Sequence, residues 1–382
     1  MMQSTSEQTS WSPLPSGEIV HEWLAPIGGS ENVVDELLLA LPEARLTAAW
    51  NDAPDRFPTA RETVLARTPL RRSKALALPA MPATWRFLGR SDAEWILSSS
   101  HLFSHHARFS GAARQAKRLV YLYTPARYIW SPELDSRGTG PGVRLASSLF
   151  KGLDRARAQD ADSIVAISNY VARRVEKYWG LDAGVIYPPV ESQAIIRELE
   201  SATALTPVEQ SILEALPSDF VLGASRFIPY KRLEDVISSG AAVDLPVVLA
   251  GAGPHLPVLR AMAEASKVPV HFVDAPSTAL LRRLYQRATV FIFPALEDFG
   301  IMPVEAMATG TGVVALDRGG AAETVQHGIT GATVSDFSSG DVVRAVEEAA
   351  SVSTADCQNA ALTYDASLFR DRMRFWVTQT LG

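Results

Sequence analysis

Apolar runs of strand length alternate along the chain with stretches whose apolar positions repeat at helical spacing. Strands are expected in the first half at Glu18–Trp23, Leu46–Ala49, Trp95–His101, Leu119–Tyr123, Ile164–Asn169 and Val185–Val190. In the second half they are expected at Phe220–Ser225, Val247–Ala250, Val268–Asp274, Val290–Phe293 and Gly312–Leu316. Val33, Val34, Leu37, Leu38 and Leu41 mark one face of a helix. Further helices are expected over Tyr170–Trp179, Ala279–Arg287 and Ile301–Ala308, from Gly319 to Val325, and in the tail from Ser367 to Val377. The pattern is that of an α/β protein with two halves of similar character. No run reaches the roughly 18 consecutive apolar residues that a spanning helix needs.

One stretch organises the rest. Val290–Phe293 reads as a buried strand that Pro294 stops, and Pro303 stands in the first turn of Ile301–Ala308, where no amide hydrogen is needed. The helix therefore starts out of the turn Glu297-Asp298-Phe299-Gly300, and the backbone from Asp298 to Ile301 offers amides to an anion such as a diphosphate. Glu297 and Glu305 can both face a ligand lying on the helix start, and carboxylates accept hydrogen bonds from the hydroxyls of a ribose or hexose. Phosphate on amides and hydroxyls on carboxylates together describe a sugar nucleotide. The same residues also suit a plain capped helix, with Glu297 and Asp298 complementing its dipole and Glu305 on a solvated face. The turn alone leaves both readings open.

Other stretches add candidates. Gly28 and Gly29 follow the first strand and precede a helix, which is a second anion cradle or a simple tight turn. Arg226 and Lys231 follow the strand ending at Ser225, where two cations suit a diphosphate and its growing charge as a nucleotide leaves; surface salt bridging is the alternative. His101 ends a strand, the place where open α/β sheets hold ligands. His105 and His106 follow it, but no carboxylate or thiol accompanies them at ligand spacing, so no metal is expected. Asp160 and Asp162 precede a strand and belong at the sheet end away from the ligand. The segment Tyr121-Leu122-Tyr123-Thr124-Pro125-Ala126-Arg127-Tyr128-Ile129-Trp130 delivers Tyr123, Arg127 and Tyr128 to the sheet edge, where the alternatives are a buried ion pair for Arg127 and packing for Tyr128 and Trp130.

Composition narrows the class. The chain has 382 residues, enough for two domains, with 47% apolar and 20% charged residues. A net charge of −6 argues against a broad nucleic-acid footprint. The single cysteine, Cys357, forms no intramolecular disulfide and fits a reducing cytosol. The N-terminus is polar, rich in Ser and Pro and without the pattern of a signal peptide, so residues 1–16 are expected to be a disordered tail. Basic and apolar residues mix from Arg71 to Arg90 with Met81, Trp85, Phe87 and Leu88, which suits either a helix pair covering the core or contact with an anionic membrane face.

The stretch EDFGIMPVEAMATG, with glutamates at Glu297 and Glu305, resembles the signature of the family-four retaining glycosyltransferases of GT-B fold. YLYTPARYIW is similar to the motif of a mannosyltransferase subgroup of surface polysaccharide assembly, and Ser168-Asn169 with Ile186-Tyr187-Pro188-Pro189-Val190 fits the end of that family's N-terminal domain. The resemblance implies an α/β chain of two Rossmann-like domains facing across a cleft: an acceptor domain over 17–190, a linker and helical connection over 191–215, a donor-nucleotide domain over 216–365 and a C-terminal helix, 366–382, crossing back. It implies transfer of a hexose, first of all mannose from GDP-mannose, to a glycan, glycolipid or lipid-linked hydroxyl, without a cofactor or metal. By the same resemblance Arg226, Lys231 and the amides from Asp298 through Phe299 and Gly300 to Ile301 hold the diphosphate, facing Gly28 and Gly29. Val273 offers its backbone to the base, Glu305 holds the ribose and Glu297 the donor sugar. His101, Tyr123, Arg127 and Tyr128 are sugar or acceptor candidates. The relatives usually carry histidine where this chain has Tyr123, whose hydroxyl hydrogen-bonds but does not titrate near neutral pH. A cytoplasmic protein, with contact to the inner membrane face open, is expected. An epimerase of similar fold and a silent sugar-nucleotide binder are the alternatives.

Overall fold

A computed structural model describes residues 12–130, 141–200 and 205–382; most of the expected N-terminal tail, 1–16, and the side chain of Tyr128 lie outside the described ones. By contact the chain divides into two units, one of Met1–Leu122, Ala146–Ile164 and Asp371–Gly382, the other of Tyr123–Leu145 and Val165–Arg370. This division differs from a single boundary near 190, because segments on both sides of that point join the second unit.

The first unit carries a parallel sheet of β1 (Gly17–His21), β2 (Ala44–Ala48), β3 (Arg61–Glu62), β4 (Trp95–Ser100) and β5 (Lys117–Leu122), in the order β3-β2-β1-β4-β5. The helix Gly29–Ala40 returns the chain from β1 to β2, and of the expected face Val33, Val34, Leu37 and Leu41 are buried and Leu38 half-buried, while Leu39 is exposed. Ile19, Leu46, Leu97 and Leu119 bring the sheet's apolar side to the same core. The stretch from Arg71 to Arg90 is not a helix pair. It breaks into a 3-10 turn, Pro69–Arg72, and two one-turn helices, Lys74–Ala77 and Met81–Thr84, because Pro69, Pro79 and Pro82 each lack the amide a longer helix requires. Met81 and Trp85 are buried, while Phe87 is 84% exposed.

In the second unit β6 (Ser163–Ala166, its last two residues lying in this unit) pairs in parallel with β7 (Gly184–Val185), and Ser168 caps the helix Asn169–Trp179 by accepting from Val171 N. The expected strand to Val190 is shorter, since Pro188 and Pro189 cannot donate to a ladder. A six-stranded parallel sheet follows, of β8 (Val221–Ala224), β9 (Val247–Gly251), β10 (Val270–Asp274), β11 (Val290–Phe293), β12 (Val313–Leu316) and β13 (Gly331–Val334), in the order β10-β9-β8-β11-β12-β13. The order reverses between β8 and β11, so the loops leaving their carboxyl ends open a crevice there, the position where such sheets hold ligands. β13 and the helices Ser339–Ala350 and Thr354–Leu362 complete the unit. The final helix, Ala366–Leu381, lies within the expected C-terminal segment 366–382 and continues past Val377; from Asp371 on it belongs to the first unit, where Arg374 bonds Glu43 and the carbonyls of Ser12 and Ala40. Among the described residues no helix is long and apolar enough to cross a membrane.

Candidate active site

The loop after β11 reaches the helix Ile301–Ala308 through Gly300, whose φ of 97° lies in the left-handed region that a side chain disfavours. Gly320 abuts this turn so closely that a Cβ there would stand 2.2 Å from Phe299 Cα and 2.4 Å from the Asp298 carbonyl oxygen, and its amide donates to the Glu297 carbonyl at 2.8 Å. The turn is thus held from behind by backbone. The amides of Phe299, Gly300 and Ile301 make no hydrogen bond among the described residues, so the amino end of this helix presents unspent donors.

Beside them, Lys231 reaches over from the loop after β8 and pairs with Glu297, with Lys231 buried and Glu297 half-buried. Arg226, two residues past β8, is exposed and forms no ion pair among the described residues. Glu305 sits half-buried in the second turn of the helix. Burial raises its carboxyl above the usual range, with the Arg282 charge opposing. The Tyr285 hydroxyl is buried without a hydrogen-bond partner among the described groups, and burial, then the nearby Glu305 charge, hold its proton on. Val273 is the penultimate residue of β10, the edge strand, with its side chain buried, so only its backbone is available to a base.

Asp298, expected to offer its amide to an anion, spends its side chain and carbonyl on structure. Its carboxylate accepts from Arg127 Nη2 at 2.5 Å and from Arg174 Nη1 at 2.7 Å, and its carbonyl accepts from Ser168 Oγ at 2.5 Å. Burial disfavours the Arg127 charge, but Asp298 outweighs it and raises the guanidinium's affinity for its proton. Arg127 is therefore committed to an ion pair. Phe299 is likewise a packing residue, its ring lying 5.8 Å from Tyr187 and 5.7 Å from Tyr364. Glu323 accepts from the amides of Asn169 and Tyr170 at 2.8 and 2.6 Å and so caps the helix Asn169–Trp179 from outside. The positioning parts of Arg174 and Glu323 have no signal in the sequence, whereas Ser168 stands in the quoted Ser168-Asn169 pair and Gly320 in the glycine pair Gly319-Gly320 before a short helix.

In the first unit, Gly28 precedes the helix Gly29–Ala40 in extended backbone, and the cradle is already occupied by this chain's own carboxylate. Glu31 is buried, accepting from Ala25 N at 3.0 Å and Ser30 Oγ at 2.8 Å, and a Cβ on Gly28 would strike it at 2.0 Å. His101 does lie at the end of β4. Glu22, missed in the sequence, fixes the loop there: Oε1 accepts from Leu102 N at 2.8 Å and Ser104 N at 2.9 Å, and Oε2 lies 3.6 Å from His101 Nδ1. Burial by itself would raise the Glu22 carboxyl, but His101, His21 and these amides outweigh it and lower it. Trp23 meets the His101 ring edge-on at 4.9 Å. Tyr123 follows β5, half-buried, at the start of the second unit. Asp160 and Asp162 stand at the amino ends of β5 and β6 and are engaged by Arg86, Arg118 and Lys117. His105 and His106 have a carboxylate companion after all, Asp154, at 3.1 and 3.2 Å.

Two parallel-sheet Rossmann-like units of this order define the GT-B class. The family description "Glycosyltransferase Family 4" matches residues 27–194 and "Glycosyl transferases group 1" residues 206–360. The chain belongs to the family-four glycosyltransferases of GT-B fold. It is 30% identical over 203 residues, 49% of this chain and 52% of the relative, to a GDP-mannose-dependent alpha-(1-6)-phosphatidylinositol monomannoside mannosyltransferase of Mycobacterium tuberculosis. It is 25% identical over 290 residues, 70% of each chain, to an alpha-maltose-1-phosphate synthase of Mycolicibacterium smegmatis. With the first of these the match spans only about half of the relative's length. Among solved structures, Anabaena Alr3699/HepE in complex with UDP shares the fold at a TM-score of 0.68 and 16% identity, covering 95% of this chain and 100% of that one. A glycosyltransferase from Rickettsia africae does so at 0.66 and 14%, covering 96% and 99%.

Proposed function

We propose that this protein transfers a hexosyl group, with retained anomeric configuration, from a nucleoside diphosphate sugar to a hydroxyl of a glycan or glycolipid. One observation carries the reading: unspent amides at Phe299, Gly300 and Ile301 sit in the same turn as Glu297, which holds Lys231 at the carboxyl ends of β11 and β8. Backbone donors and a buried lysine suit a diphosphate, and a carboxylate beside them suits sugar hydroxyls.

In this reading the arriving diphosphate draws Lys231 from Glu297 and takes the three amides, with the exposed Arg226 closing over it. Glu297, released from its partner, accepts from donor-sugar hydroxyls. Glu305 takes the ribose, and the backbone at Val273 the base. Gly28 and Gly29 keep a donor role only if Glu31 turns away from them. The sugar's bond to the diphosphate oxygen breaks, the acceptor oxygen bonds to the same carbon on the same face, and the acceptor's proton passes to the leaving diphosphate. Lys231, Arg226 and the helix dipole supply the positive charge that this departure needs, so the step draws on no metal or cofactor.

Mannose from GDP-mannose is the first choice, on the motif around Tyr123-Thr124-Pro125-Ala126-Arg127 and on the mycobacterial mannosyltransferase relative; the UDP in the Anabaena structure makes UDP-glucose the second. A lipid-linked acceptor is favoured by the exposed Phe87, which with Arg86, Arg108 and Arg157 lines a hollow in the first unit. The test is a panel of nucleotide sugars with lipid and glycan acceptors and product detection by mass spectrometry. A mannosylated product from GDP-mannose supports the reading; donor binding without any transferred sugar, or inversion of the sugar at C2, overturns it.

A further inference from the structure

Outside the donor region, one cluster of ligating side chains among the described residues is closed to solvent. His105 and His106 form a 3-10 turn, Ser104–His106, after β4, and Asp154 comes from the helix Pro141–Ala158; all three lie in the first unit. His105 Nε2 lies 3.1 Å and His106 Nε2 3.2 Å from Asp154 Oδ1, and the side chains of the three are at most 1% exposed. The two imidazoles meet edge to face at 85°, so their Nε2 atoms approach the carboxylate from different directions.

We propose that His105, His106 and Asp154 bind a divalent transition-metal ion, Zn2+ fitting best, as a structural staple joining the loop after β4 to the helix Pro141–Ala158. Zinc bonds to imidazole nitrogen and carboxylate oxygen are about 2.0–2.2 Å, which in a tetrahedron sets ligand atoms about 3.3–3.5 Å apart. The observed 3.1 and 3.2 Å are within a few tenths of that edge. Two neutral imidazoles and one carboxylate are the ligand set of many three-residue zinc sites. Behind the first ligand stands the outer partner that metal-binding histidines use: His105 Nδ1 lies 3.1 Å from Ser100 Oγ, and that hydroxyl reaches Glu22 Oε1 at 3.3 Å. Arg157 acts on His106 with a like charge, which weakens cation binding, and the Asp154 carboxylate offsets it. The staple stands apart from the transfer step and is independent of it.

The experiment uses the full chain, stripped with chelator and dialysed into metal-free buffer. Zn2+ is titrated by calorimetry while the thermal midpoint is followed, and Co2+ is added separately to read its visible absorption. The expected result is about one equivalent of tightly bound Zn2+, a midpoint that rises with Zn2+ and falls back with EDTA, and the intense visible bands of four-coordinate Co2+ with nitrogen and oxygen ligands. Asp154→Asn, which keeps the shape of the side chain, should lose all three. Absence of binding to the wild type, or equal binding by Asp154→Asn, overturns the proposal. Should the variant not fold, the wild-type Co2+ spectrum decides: bands of four-coordinate cobalt support the site, and the pale spectrum of hydrated Co2+ rejects it.

Discussion

Asp298 holds Arg174 at 2.7 Å across a sequence separation of 124 residues, with the side chains 10% and 7% exposed. The same carboxylate holds Arg127, so one residue of the turn before the helix Ile301–Ala308 ties two earlier segments into the second unit.

Replacing Asp298 by Asn should therefore act on stability before it acts on chemistry. Removing one member of a buried ion pair leaves uncompensated charge and costs about 3–5 kcal/mol. Urea or thermal unfolding should register a loss of that order, and an unchanged midpoint would place the two arginines in solvent.

Lys231→Ala and Arg226→Ala should each depress turnover by about 100- to 1000-fold, the range for losing a donor to developing charge; the exposed Arg226 should leave unfolding nearly unchanged, whereas removing the buried Lys231 strands its partner Glu297 and should also lower stability. Donor affinity, measured by calorimetry with the nucleoside diphosphate, should fall in parallel. Wild-type turnover in the double variant would remove the diphosphate assignment.

Gly320→Ala places a Cβ where backbone already stands, 2.2 Å from Phe299 Cα. The turn must move, at about 1–3 kcal/mol by the usual overpacking range, and donor affinity should drop with it. Gly152→Ala is the control: nothing lies within 4 Å of its Cβ position inside a helix, so stability should rise by about 1 kcal/mol.

Glu305 and His21 contribute opposite pH slopes. The Glu305 carboxyl is raised by burial, so the folded state holds its proton longer than the unfolded chain, and stability falls as pH rises from the unfolded value of 4.5 through the folded one. Glu305→Gln should remove that fall while weakening donor binding. His21 is lowered from 6.5 to about 4, first by burial and then by His101, so the unfolded state takes the proton first and stability falls as pH drops through that window. His21→Gln should flatten this limb in unfolding curves collected from pH 7 to pH 4. Retention of both slopes in the variants would assign them to other groups.

The sequence by itself determined the α/β alternation, the strand Val290–Phe293 and the helix Ile301–Ala308 to the residue, and the placement of Arg226, Lys231, Glu297 and His101 at strand ends. These are local matters: apolar periodicity, a proline in the first turn and a glycine before it act over a few residues. Of the two readings of the stretch from Arg71 to Arg90, the helix pair fails because closely spaced prolines outweigh an apolar pattern, and the sequence had no means to foresee partners. That Asp298 faces two arginines, that Glu31 fills the Gly28 loop, and that Asp154 meets His105 and His106 all depend on side chains brought together from distant segments. Burial then decides their chemistry, because a charged group removed from water must find an opposite charge or a hydrogen bond wherever the fold supplies one.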